Sequence, residues 1–185
     1  ASKRGRTLAR FLLIYSTTDG HTREIGERMQ AVLSDQGHAV TLRPIEGAVD
    51  IDLQAFDKIV LGASIRYGRH SKQVYAFIAA HAQTLAAKPN AFFSVNLVAR
   101  KPEKRSADSN PYLRKFLREI AWRPQQLTVF AGKLDYPHYR FWDRQMIRLI
   151  MWMTKGPTDP SAVVDFTDWA EVDTFAERVG RIEQD

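Results

Sequence analysis

Residues 8–22 read LARFLLIYSTTDGHT, and the fold turns on them. The first eight form a nearly continuous apolar run of large side chains, far too short to span a bilayer and suited to a strand buried on both faces. Ser16, Thr17, Thr18, Asp19, Gly20, His21 and Thr22 follow as a polar turn. Ile25, Met29, Val32 and Leu33 then recur at helical spacing as far as Gly37. Strand, hydroxyl-rich loop and helix make the opening unit of an α/β domain. The loop feeds a helix N-terminus, where free N–H groups and the helix dipole favour an anion.

The same alternation continues outward. Residues 39–43 and 58–62 (KIVLG) read as strands, and residues 73–85 place Val74, Phe77, Ile78, His81 and Leu85 on one helical face before Pro89. Residues 91–97 (AFFSVNL) form a fourth strand. Asn110 and Pro111 supply a cap and an N1 proline for a helix over 112–121. Residues 127–132 (LTVFAG) form a fifth strand, and Asp168 with Glu171 makes a capping box ahead of Trp169, Val172, Phe175, Val179 and Ile182. The pattern predicts an α/β fold with a five-stranded parallel sheet and helices on both faces. Residues 136–155 break the alternation, and residues 163–167 are expected to resume the last strand after them.

Composition bounds the rest. The 185 residues fit one domain, expected over 8–185, with residues 1–7 as a disordered extension. With no cysteine, disulfide scaffolds, thiolate metal sites and cysteine nucleophiles are excluded. Lys3, Arg4 and Arg6 ahead of an apolar run mimic a secretory signal, but no cleavage site follows, so a cytoplasmic chain is expected. The formal charge of +6 is regional: residues 98–155 hold 13 Lys/Arg against five acids, a net +8, and the rest of the chain is at −2. Such a field attracts polyanions. The run at 100–105 (RKPEKR) lacks the interleaved aromatics that stack bases, which argues against nucleic acid.

In an open parallel sheet, ligands sit outside the carboxyl ends of the strands. Residues 16–22 therefore offer hydroxyls and N–H groups to a phosphate. They lack the glycine pattern of a dinucleotide site and the Gly-Lys-Ser/Thr of a triphosphate site. After the third strand, residues 62–68 (GASIRYG) place Ser64, Ile65, Arg66, Tyr67 and Gly68 where backbone and one aromatic suit a flat ring. After the fourth, Asn96, Leu97 and Val98 offer backbone groups to a ring edge. Each loop taken alone also reads as an ordinary connection. His21, His38, His70, His81 and His138 show no metal-ligand spacing, and Ser16, Ser64 and Ser94 lack a nucleophile elbow.

Together these loops resemble the FMN site of flavodoxins. Residues 15–25, 62–68, 94–105 (SVNLVARKPEKR) and 136–151 more specifically resemble the flavodoxin-like, quinone-dependent protoporphyrinogen oxidases of bacteria, a likeness running over 8–182. That resemblance implies FMN, its phosphate in the first loop and its isoalloxazine between the other two. It implies oxidation of protoporphyrinogen IX to protoporphyrin IX in heme biosynthesis, with electrons passed to a membrane quinone, menaquinone or ubiquinone. It also implies residence on the cytoplasmic face of the inner membrane. Arg66, Arg100 and Lys101 become the expected partners of the substrate carboxylates; neither a general base nor an oligomeric state is legible. The net positive charge and the absence of an aromatic beside Leu97 and Val98 depart from ordinary flavodoxins. The rival readings are an electron-carrier flavodoxin, against which the basic segment speaks, and a flavin-free scaffold.

Residues 136–155 lie where long-chain flavodoxins carry an insertion in the last strand. On a helix, Arg140, Arg144, Arg148 and Lys155 share one face, while Trp142, Met146, Leu149, Ile150 and Met153 share the other. Phe141, Ile147, Met151 and Trp152 widen the apolar surface. The plain alternative is a helix packed on the sheet with a solvated basic face. The reading preferred here is a helix that lies in a bilayer interface or meets a quinone. Deletion of 136–155 is then expected to abolish turnover and spare FMN.

Overall fold

The computed structural model describes residues 8–183, and the expected disordered extension over 1–7 lies outside them. Strands β1 (Arg10–Ser16), β2 (Ala39–Pro44), β3 (Lys58–Arg66), β5 (Asn90–Asn96) and β6 (Gln126–Ala131) form one sheet in the order β2-β1-β3-β5-β6. All four pairings are parallel. The order reverses between β1 and β3, so the ligand crevice of such a sheet lies at the carboxyl ends of those two strands, a rule of which flavodoxins are themselves a standard instance.

Strand β1 shows why the opening run is unbroken. Leu12 and Ile14 point into one core cluster with Val74, Phe77 and Ile78 of α2 (Lys72–Ala87) and Leu113 and Phe116 of α3 (Pro111–Glu119). Phe11 and Leu13 point into the other, with Ile25, Met29 and Leu33 of α1 (His21–Asp35) and Val172, Phe175 and Val179 of α5 (Trp169–Val179). Each alternate residue thus finds a helix, and the sheet is covered on both sides. Gly62 on β3 is required by close approach: a Cβ there would stand 2.0 Å from the Phe93 ring. The expected caps are in place, with Asn110 accepting from the Leu113 N–H and Asp168 from those of Ala170 and Glu171. Ile182 lies beyond the end of α5 but is still buried.

Two expectations are corrected. Residues 62–68 are not a free loop: β3 runs on to Arg66 and turns through Tyr67 and Gly68, both at positive φ, into β4 (Arg69–His70), pairing Arg66 with Arg69. Two central residues at positive φ give the turn whose twist matches an antiparallel hairpin. Residues 163–167 do not resume the parallel sheet. Strand β8 (Val163–Asp165) instead pairs antiparallel with β7 (Lys133–Asp135), so the excursion leaves after β6 has ended and closes on itself as a ribbon.

Between the two ribbon strands lies α4 (Phe141–Met153), over a third core cluster of Leu134, Tyr136, Tyr139, Ile147 and Met151. Here the faces expected of residues 136–155 are also corrected. Ile147 and Met151 are buried rather than part of an exposed surface, and Arg144 and Arg148 flank them. Arg144 donates to the Tyr136 and Tyr139 carbonyls, and Arg148 Nε donates to the Thr158 carbonyl at 2.9 Å. These two cations tie the helix to its own loop and do not form a solvated basic face. Among the described residues no helix is long and apolar enough to cross a membrane.

Candidate functional site

The first loop leaves β1 and enters α1 through Gly20 at φ 88, a left-handed conformation that a side chain rarely adopts. The Thr17 hydroxyl accepts from the Gly20 N–H at 2.9 Å, closing the turn, while Thr18 is exposed and Asp19, expected beside the phosphate, instead gives its carboxylate to Arg66. The N–H groups of the first turn of α1 have no intrahelical carbonyl to meet. Beside them the Thr22 hydroxyl is buried without a hydrogen-bond partner. A buried polar atom in that state costs roughly 1–3 kcal/mol. A phosphate at this helix end would satisfy both the hydroxyl and the N–H groups, so the loop fits the phosphate assigned to it.

His21 opens α1 and is buried. Its Nε2 lies 2.6 Å from Thr167 Oγ1 and its Nδ1 3.1 Å from Glu24, with Asp165 at 3.7 Å. Thr167 also donates to the Ala131 carbonyl at 2.8 Å. The carboxyl of Asp165 meets a burial penalty, yet hydrogen bonds from Thr167 and Trp169 leave its pKa below the ordinary range. This group joins the first loop to the return of the excursion. Sequence reasoning named His21 but missed Thr167 and Asp165, because nothing in residues 163–167 marks a strand that turns back toward residue 21.

In the second loop the Ser64 hydroxyl donates to the Ser16 carbonyl at 3.4 Å, while Ile65 pairs with His70 across the hairpin. Arg66 is bonded to Asp19 of the first loop, lies 3.6 Å from Asp143 of α4, and has the Tyr139 ring 5.3 Å away. Burial acts to lower the Arg66 pKa, but the hydrogen bond and charge of Asp19, together with Tyr139 and Tyr67, leave it raised. The Tyr67 ring is half exposed, and its hydroxyl is bonded to Asp143. Burial, reinforced by that carboxylate, holds the Tyr67 phenol above its ordinary pKa. Gly68 completes the turn. Beneath the hairpin His70 is buried against Phe92 and Phe116, 3.0 Å from the Ser94 hydroxyl, and burial pushes its pKa down to about 3.

The third loop is held by amides. Asn96 accepts from the Ala99 N–H and from the Asn110 side chain, and its carbonyl receives the Gly132 N–H. The side chain of Asn96 is thus committed to the loop itself, and the half-buried Leu97 and Val98 are what the loop presents. Arg100 donates to the Leu97 carbonyl and, through Nη2, to the carbonyl and hydroxyl of Thr154 at the end of α4. Burial lowers its pKa. Of the three expected carboxylate partners, Arg66 and Arg100 are therefore paired within the chain. Lys101 is half-buried, and among the described residues its ammonium makes no hydrogen bond or ion pair.

On α4 the outward stripe is Trp142, Met146, Leu149 and Met153, joined by Phe141 and Trp152; the two tryptophans are 78% and 71% exposed. Ile150 is half-buried, and Arg140 and Lys155 stand exposed at the two ends. The apolar stripe expected over residues 136–155 is present. Its basic flank is thinner than the sequence implied. Among the described residues no cluster of three or more His, Asp or Glu could hold a metal ion.

Strand order and the three loops at the carboxyl ends of the strands define the class: the flavodoxin-domain family model matches residues 12–161, and the chain belongs to that family. Its curated relatives are more particular. A protoporphyrinogen IX dehydrogenase (quinone) of Escherichia coli strain K12 is 43% identical over 171 residues, 92% of this chain and 94% of that one. A protein of the same name from Leishmania major is 45% identical over 166 residues, 89% of this chain and 72% of its own. Among solved structures, oxidised flavodoxin 1 of Bacillus cereus matches with a TM-score of 0.53 at 15% identity, covering 92% of this chain and 96% of that one, a likeness of fold.

Proposed function

We propose that this chain is an FMN-dependent oxidoreductase that converts protoporphyrinogen IX to protoporphyrin IX, a step of heme biosynthesis, and delivers the electrons to a membrane quinone. The observation that carries the reading is the identity of 43% with an enzyme of that name over 92% of the chain, a span that takes in all three loops and the excursion. The unpartnered Thr22 hydroxyl at the head of α1 supports a phosphate-bearing cofactor. FMN, when bound, supplies the redox chemistry, and the protein supplies orientation and electrostatics.

In this reading Ser16, Thr17, Thr18, Gly20, His21 and Thr22 surround the phosphate. Ser64 to Gly68 and Asn96 to Val98 flank the ring. Lys101 is the cation still free to meet a substrate propionate; Arg66 and Arg100 shape the loops that present it. The outward stripe of α4 lies at the surface of the membrane that holds the quinone, with apolar burial and the exposed Arg140 and Lys155 holding it to anionic lipid. The protein is then peripheral, on the cytoplasmic face of the inner membrane.

An anaerobic mixture of the protein, FMN, protoporphyrinogen IX and a short-chain quinone tests the activity. Porphyrin fluorescence should rise and should require both FMN and quinone. A chain that binds FMN but produces no porphyrin would be an electron carrier, and the reading would fall.

A further inference from the structure

Asp143 sits in the first turn of α4 and reaches the second loop. Its Oδ1 accepts from the Tyr67 hydroxyl, and its Oδ2 lies 3.6 Å from Arg66 Nη1. Asp19 of the first loop takes Nη2 of the same guanidinium, and the Tyr139 ring, from the segment leading into α4, lies 5.3 Å from its centre. First loop, hairpin and excursion therefore meet on one mostly buried cation.

Two observations set this cluster apart from an ordinary surface ion pair. Tyr67 holds φ 52, a conformation costly for a residue with a side chain, so its place depends on what anchors it. Its ring is 50% exposed, yet its hydroxyl is bonded to a carboxylate of another element. The element supplying that carboxylate is also the one whose outer stripe is uncovered. Inner and outer faces of α4 thus serve different surroundings.

We propose that Asp143 is a positioning residue for the ring site: by holding Tyr67, and with Asp19 holding Arg66, it fixes the hairpin against the first loop, so that the seating of α4 sets the shape of the site. The inference rests on the flavin reading above. It assigns to the excursion a role in cofactor binding separate from its outer surface. Asp143 then governs FMN affinity without touching FMN.

The test uses the full chain with Asp143→Asn, Asp143→Ala, Tyr67→Phe and the Asp143→Ala/Tyr67→Phe double variant. It reads amide hydrogen exchange at residues 65–70 and FMN affinity by flavin fluorescence. Asp143→Ala should speed exchange in the hairpin about tenfold and weaken FMN about tenfold. Tyr67→Phe should speed the same exchange, and the double variant should be no worse than Asp143→Ala, because both remove one contact. Asn can still accept from Tyr67, so Asp143→Asn should stay within about threefold of the parent chain. Unchanged hairpin exchange in Asp143→Ala and Tyr67→Phe, FMN affinity that stays unchanged in Asp143→Ala, or effects that add in the double variant, would overturn the proposal. Should Asp143→Ala fail to fold, exchange in Tyr67→Phe and Asp143→Asn decides it. If the parent chain takes up no FMN, the flavin reading falls and the exchange measurements alone judge Asp143.

Discussion

Thr22 carries a hydroxyl that folding buries and leaves without a partner, while the rest of its side chain packs at the head of α1. Thr22→Val removes that oxygen at nearly constant volume. The apo protein should therefore lose no thermal stability, while FMN affinity measured by fluorescence quenching falls about ten- to a hundredfold. Equal FMN affinity in the two proteins would remove the hydroxyl from the phosphate site. His70 gives a second prediction at this scale. Its folded pKa is depressed to about 3, so between about pH 6.5 and 3 the unfolded chain binds a proton that the folded chain refuses. Its contribution is fully present above about pH 6.5 and is lost as pH falls, by up to about 1.4 kcal/mol per unit. Urea midpoints of the parent and His70→Gln should converge between pH 7 and pH 4, and parallel midpoints would contradict this. The residues proposed to surround a phosphate were legible in sequence because one contiguous turn supplies them. Thr167, Asp165 and Asp143 were not, because they reach the site from an element whose path back to the sheet has no local signature.

At the scale of elements, α4 separates what periodicity shows from what it does not. Spacing alone located an amphipathic helix over 136–155, but both sides of it carry apolar residues, and only the ribbon beneath decides that Ile147 and Met151 are the inner stripe. Arg144 and Arg148 flank that stripe because their long side chains reach the backbone carbonyls of Tyr136, Tyr139 and Thr158. The two stripes should respond oppositely. Trp142→Ser with Met146→Ser and Leu149→Ser should leave the unfolding midpoint nearly unchanged and abolish sedimentation with anionic vesicles. Ile147→Ala should cost about 2–4 kcal/mol of stability. Vesicle binding that survives the triple change would remove the membrane role from this face. Deleting 136–155 is a poor substitute for these variants and should not spare FMN after all, because it would strip the cover from Leu97, the Thr154 partner from Arg100 and the Asp143 partner from Tyr67.

For the whole molecule, the sheet was the most legible part. A strand buried on both faces needs a nearly continuous apolar run, and residues 8–15, 58–62 and 91–97 come close to one; the strand order is what the structure adds. The regional charge was legible as well, although the structure spends several of its cations on internal carbonyls and leaves Lys101 free of them. The central claim is that one flavin takes electrons from a porphyrinogen and yields them to a quinone. The direct measurement is anaerobic mixing of the FMN-loaded protein with protoporphyrinogen IX, followed at the flavin absorbance, with a quinone added afterwards. The account predicts bleaching on mixing; because the porphyrinogen gives up more electrons than one flavin holds, porphyrin fluorescence should appear only when added quinone restores the oxidised spectrum and lets the flavin turn over. A flavin spectrum unmoved by the porphyrinogen would contradict it.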